Sequence, residues 1–260
     1  NIDQNIIESI KCHHNELVNY FLNMTQNNIQ SYISVILKYY NFEYFDYKFI
    51  NEKLFYDYCK NDYIIFVQKF LPDVIINEVV EIRKELDSNI YTLKIKNMTA
   101  LHVAIEKENI EIIKLLLTRK DIDVNCLAII FKGPKQHQKT ALHIAVENEN
   151  AEIVKLLLSN QNIDVNYIMI SSILSRHGST QHMTALYIAV ENDDIEIAYI
   201  LCLYQHTDVN IPYKKTCDSG EQCIPSRTLT LEEKTPYQLA TELNNQTICQ
   251  ILLMKHLLPN

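Results

Sequence analysis

The chain has 260 residues, 47% of them hydrophobic, with 24 basic against 32 acidic side chains and a net charge of −8. That balance argues against the phosphate backbone of a nucleic acid as partner, and no apolar run is long enough to span a bilayer, so membrane insertion is not expected. Seven cysteines are scattered at 12, 59, 126, 202, 217, 223 and 249, an odd and dispersed set that suits a reducing, intracellular compartment, the cytoplasm being the expected one.

Helical periodicity without an obvious repeat fills residues 1–98, read as a helical N-terminal segment of degenerate repeats or a cap. Ile6, Ile7, Ile10, Leu17, Phe21 and Leu22 predict a helix over about 3–23. Ile29, Ile33, Ile36 and Leu37 predict a second, ending near Asn41. Phe49, Phe55 and Tyr56 belong to a third, from Asp46 to Cys59. A fourth runs from Ile64 to Leu71 and is stopped by Pro72, which cannot donate and disfavours helical backbone before it. A fifth is expected from Ile75 to Leu86.

A string then returns: Thr99-Ala-Leu-His-Val-Ala, Thr140-Ala-Leu-His-Ile-Ala, Thr184-Ala-Leu-Tyr-Ile-Ala and a weaker Thr235-Pro-Tyr-Gln-Leu-Ala. The first three are each followed by an Ile/Leu-rich stripe and by Asp-Val-Asn ending at Asn125, Asn166 and Asn210. Self-similarity of this kind signals stacked supersecondary units. The Thr hydroxyl caps a short helix, the small Ala lets neighbouring helices approach, and a second helix carries the apolar stripe. Repeats are expected at about 99–139, 140–183, 184–234 and 235–260.

Over about residues 97–257 this pattern resembles the ankyrin repeat family, with Ala in place of Pro in three units and Tyr187 in place of His in the third. The resemblance implies an all-α, ankyrin-type helical solenoid with elongated β-hairpin fingers. It also implies that His102 and His143 are structural, tying one repeat's backbone to the next. The family period is about 33 residues, whereas the Thr anchors here stand 41, 44 and 51 apart, so the connections that carry the fingers are lengthened. With only 3 glycines in the chain, Asn150 or Asn192 is expected to supply the left-handed backbone of the helix–helix turns.

No nucleophile stands beside a base and no phosphate loop is present, so no enzyme activity, metal or cofactor is expected. Cys12-His13-His14 falls on a predicted helix, where adjacent residues diverge, and Cys217 and Cys223 match no zinc spacing. Two features depart from a plain scaffold. Glu106, Glu147, Glu191 and Glu242 share one position near the end of each first helix, where negative charge opposes the helix dipole by about 0.3–1 kcal/mol. The resemblance puts this column on the concave face, and Asp193 and Asp194 extend it in the third unit.

The second feature is the fingers, where Leu127-Ala-Ile-Ile-Phe131 and Tyr167-Ile-Met-Ile-Ser-Ser-Ile-Leu174 place apolar residues in connections. These are expected to pair as extended sheet with exposed tips, Lys132, Phe131, Ile168 and Met169 being the candidate contacts. The longest finger, 211–234, is expected to be mobile. The function that follows is recognition of a partner protein or peptide, a basic peptide or loop being one candidate, through the acidic face and the finger tips. The alternative is a regulatory part of a longer enzyme whose catalytic domain lies outside this chain.

Overall fold

A computed structural model describes residues 2–11, 52–84, 94–174, 178–218 and 228–257. The chain divides into two units, Asn1–Asn51 and Glu52–Asn260. In the first, helix α1 covers Ile2–Lys11. The expected helix over 29–41, the rest of the first expected helix and the Cys12-His13-His14 run lie outside the described residues.

In the second unit a helix pair recurs, each followed by a hairpin until the last. The pairs are α2 (Glu52–Lys60) with α3 (Ile64–Phe70), α4 (Ala100–Glu106) with α5 (Ile110–Leu117), and α6 (Ala141–Glu147) with α7 (Ala151–Leu158). They continue with α8 (Ala185–Glu191) and α9 (Ile195–Leu203), then α10 (Pro236–Glu242) and α11 (Gln246–Leu257). The hairpins are β1 (Val80–Lys84) and β2 (Lys94–Met98), β3 (Ala128–Lys132) and β4 (Lys135–Lys139), β5 (Ile168–Ile173) and β6 (Ser179–Thr184), and β7 (Tyr213–Asp218) and β8 (Thr228–Lys234). The tip of the last, 219–227, lies outside the described residues, as does Cys223; Cys217 is a free thiol.

Three expectations are corrected. The fifth helix is absent: residues 74–79 form turns and Val80–Lys84 is a strand paired antiparallel with Lys94–Met98. A short run with Val79, Val80 and Ile82 satisfies either period, and the strand across from it decides. The chain is not all-α, because the fingers join into one antiparallel sheet of eight strands in the order β1 to β8. Ile129, Ile130, Phe131 and Ile170 are β-branched or aromatic residues that pack better on a pleated surface than in a loop, and pairing also satisfies their backbone groups. Finally, the left-handed turn residues are Asp62, Glu108, Glu149, Asp193 and Asn244, with φ between 55 and 65°. Asn150 instead caps α7, accepting from the Ile153 amide at 3.1 Å, and Asn192 has φ −78°.

The core lies between the helix layers. Leu101, Ala104, Leu142, Ala145, Leu186, Ala189 and Ala240 of the first helices are buried, as are Ile112, Ile113, Leu116, Ile153, Leu157, Ile197 and Leu201 of the second. At the start of this unit the filling is aromatic: Tyr58 stacks on Phe66 at 5.1 Å, and Phe66 on Phe70 at 6.1 Å.

Successive loops are coupled by asparagine. Asn125 donates to the Asn162 carbonyl (2.7 Å) and accepts from the Asp164 amide (2.9 Å). Asn166 does the same to His206 (2.7 Å) and Asp208 (2.8 Å). Asn77 plays this part for Asp121 and Asp123, both at 2.7 Å, so the chain upstream of the first Thr anchor carries the same coupling. Each Asn→Ala change at 125 or 166 removes two hydrogen bonds at once and should cost about 1–3 kcal/mol. Asn210→Ala, whose side chain makes no such bridge among the described residues, should cost far less; equal urea midpoints for the three variants would contradict the coupling role.

Candidate partner-binding face

Each first helix of a pair ends on the residue two before a left-handed turn. Read from those turns, the column is Lys60, Glu106, Glu147, Glu191 and Glu242. It therefore extends one unit upstream of the four expected glutamates and reverses sign there. Sequence reasoning missed Lys60 because that unit lacks the Thr anchor; the asparagine at 77 was the signal available.

The four carboxylates do not stand alike. Lys96 of β2 is ion-paired with Glu106. Lys139 of β4 reaches Glu147 Oε2 at 2.6 Å, and Lys234 of β8 reaches Glu242 at 2.8 Å. In each case a lysine on the finger leading into the helix neutralises the glutamate at that helix's end. The stems are sheltered, with 13% of the Lys139 side chain and 15% of the Lys96 side chain exposed. In the third unit Met183 occupies the position of Lys139 and Lys234, and Gln181 that of Lys96. Glu191 consequently has no ion pair among the described residues, and burial pushes its carboxyl above the usual carboxylate range.

The helix starts explain the recurring string. The Thr99 amide donates to His102 Nδ1 at 3.2 Å, so Nε2 carries the ring proton and donates to the Cys126 carbonyl at 3.0 Å. Thr140 and His143 repeat the first contact at 3.3 Å. In the third unit Tyr187 takes the histidine's place and stacks on Tyr213 of β7, centroids 4.9 Å apart and rings within 13° of parallel. One imidazole bridge is thus exchanged for an aromatic pair.

A family model for ankyrin repeats, in three copies, matches residues 59–169 and 135–215. The chain belongs to the ankyrin repeat family. The matched region begins well upstream of the Thr99 anchor. The crystal structure of the ankyrin repeat domain of Bcl-3, described as a unique member of the IkappaB protein family, is similar in fold: TM-score 0.53 at 17% identity, covering 96% of this chain and 97% of that one. The search of curated proteins finds no match. Ankyrin repeats are generally protein–protein interaction modules and typically non-enzymatic scaffolds. Among the described residues no helix is long and apolar enough to cross a membrane.

The remaining predicted contacts of this ankyrin chain are placed unevenly. Asp194 caps α9, accepting from the Ile197 amide at 2.9 Å, and Asp193 is the exposed turn residue, accepting from Asn245. Lys132 is exposed at the end of β3, opposite Lys135 across the finger tip and next to Lys94 in register. Phe131 is half-buried, and Ile168 is 41% exposed. Met169 is 2% exposed and faces inward, opposite Met183. The strand's alternation of faces explains why neighbours in one apolar run part ways.

Proposed function

We propose that this chain recognises a partner protein or peptide, taking a Lys or Arg of that partner on Glu191 and flanking it with the exposed finger residues Lys132 and Ile168 and the half-buried Phe131. The observation that carries this reading is the missing internal lysine: among the described residues three column carboxylates are already neutralised from within, and the fourth is not. Glu191 is exposed at the end of α8 and holds no cation among the described residues, so an incoming ammonium or guanidinium pairs with it without displacing an internal lysine. Glu106, Glu147 and Glu242 then keep the face in shape rather than contact the partner. The repeats themselves are read at about 99–139, 140–183, 184–234 and 235–260, with residues 1–98 as degenerate repeats or a cap.

The test is selection of a random displayed peptide library on the full chain. Lys- or Arg-bearing peptides should be enriched, and E191Q should weaken the selected peptides by about tenfold or more. E147Q, whose carboxylate already holds Lys139, should change their affinity little. Enrichment without a basic residue, or equal losses in both variants, would sink the proposal.

A further inference from the structure

At the upstream end of the column the charge runs the other way. Helices α2 and α4 and the first finger enclose a cavity of about 280 Å³. One wall is apolar, made by Tyr56, Ile82 and Val103, and Tyr56 is 2% exposed. Around it stand Lys60, Lys96 and Lys107, with a single carboxylate, Glu106. Lys96 is held by that carboxylate. Lys60 and Lys107 have no ion pair among the described residues. Among the described residues the recess therefore keeps two uncompensated positive charges beside a low-dielectric wall, in a chain whose net charge is −8. Such walls strengthen the attraction for an ion of opposite sign relative to open surface.

We infer that this cavity binds an oxyanion, a phosphate or carboxylate carried on a compact apolar stem, with Lys60 and Lys107 as its cationic clamp and the Tyr56–Ile82–Val103 wall against the stem. The volume limits the occupant to about the size of a large side chain or a small molecule, just below the range of drug-sized pockets. Lys96 is a third donor held in reserve by Glu106. Burial and the nearby Glu106 keep the Tyr56 hydroxyl protonated, so it remains a donor at any ordinary pH. Nothing in this inference depends on Glu191, which lies two units further along the column.

The probes are phenyl phosphate and benzoate, titrated into the full chain at low ionic strength by calorimetry, with inorganic phosphate as competitor. Saturable binding of at least one probe is expected. Displacement of phenyl phosphate by inorganic phosphate would identify the phosphate as the recognised group, and a preference for benzoate would identify the carboxylate. K60Q/K107Q should weaken binding by about tenfold or more. E106Q should strengthen it, because it removes the one repelling carboxylate and releases Lys96; a gain of affinity is not a result that misfolding produces. K155Q, at a lysine on α7 paired with Glu196 at 3.1 Å, should leave binding unchanged. No saturable binding of either probe, an unchanged affinity in K60Q/K107Q, or an equal loss in K155Q overturns the inference.

Discussion

Lowering the pH from 6.5 to 4 should strip this chain of several kcal/mol of stability, and replacing two histidines should remove much of that sensitivity. His102 and His143 are each 1% exposed. Each accepts the amide of its preceding threonine on Nδ1, so the neutral ring is the form that fits. Burial drives both imidazoles down from 6.5 to about 4. Above pH 6.5 neither state binds the extra proton and nothing is lost. Between 6.5 and about 4 the unfolded chain takes up a proton that the native ring refuses, so stability falls as pH falls; below about 4 the loss is complete. The gap corresponds to about 3 kcal/mol per histidine.

The structure supplies its own control. In the last unit Gln238 occupies the histidine's position, and its Oε1 accepts the Thr235 amide at 2.8 Å. H102Q/H143Q should therefore keep the helix starts while losing the titration, and its urea stability measured at pH 7, 5.5 and 4.5 should be flatter than the wild type's. Asp121 and Glu232, held below the usual carboxylate range by Arg119 and Lys234, lose their contribution on further acidification in both proteins alike. Parallel pH profiles for the two proteins would refute the assignment.

The second large effect is expected at Leu157. Its side chain is fully buried on α7, a helix packed against α6 and flanked by α5 and α9. Leu157→Ala should cost about 2–5 kcal/mol, the transfer of the lost methyl groups plus the cavity they leave. In a linear array each unit is stabilised by its neighbours, so a lesion in the middle should weaken both sides. Leu252→Ala on the last helix, where Leu252 is 1% exposed, is the counterpart at one end. Hydrogen exchange should show faster amides in α5 and α9 for the Leu157 variant, and changes confined to α8 to α11 for the Leu252 variant. A uniform rise in exchange from either lesion would mean that the array unfolds as one block.

Much of this was legible in the sequence because it rests on side chains doing a fixed job at a fixed backbone position. The threonine and histidine of each helix start, and the asparagine after Asp-Val, are hydrogen-bonding devices, and such devices recur as letters. The sheet was less legible: β2 meets β3, and β4 meets β5, across separate hairpins, and no local pattern states that register. It also hid the burial of Met169, which depends on which face of β5 looks inward. The left-handed turns were misassigned because Asn was weighed by its own preference, whereas the turn position is set by where the preceding helix ends. The difference between Glu191 and its counterparts was written in the chain as Met183 against Lys139 and Lys234, and as Gln181 against Lys96. It has meaning only once the finger is known to return to the end of its own helix.

The continuous sheet also has a mechanical consequence. Three of its seven seams, β2–β3, β4–β5 and β6–β7, cross from one hairpin to the next. Neighbouring units are thus laced together by backbone hydrogen bonds as well as by helix packing. Splaying two fingers apart requires breaking a ladder rather than sliding side chains. Each finger contributes two strands, so adjacent fingers recur at two strand pitches, about 9.6 Å. A ligand lying along this face meets a ruler with fixed marks, to which its own residues must be cut.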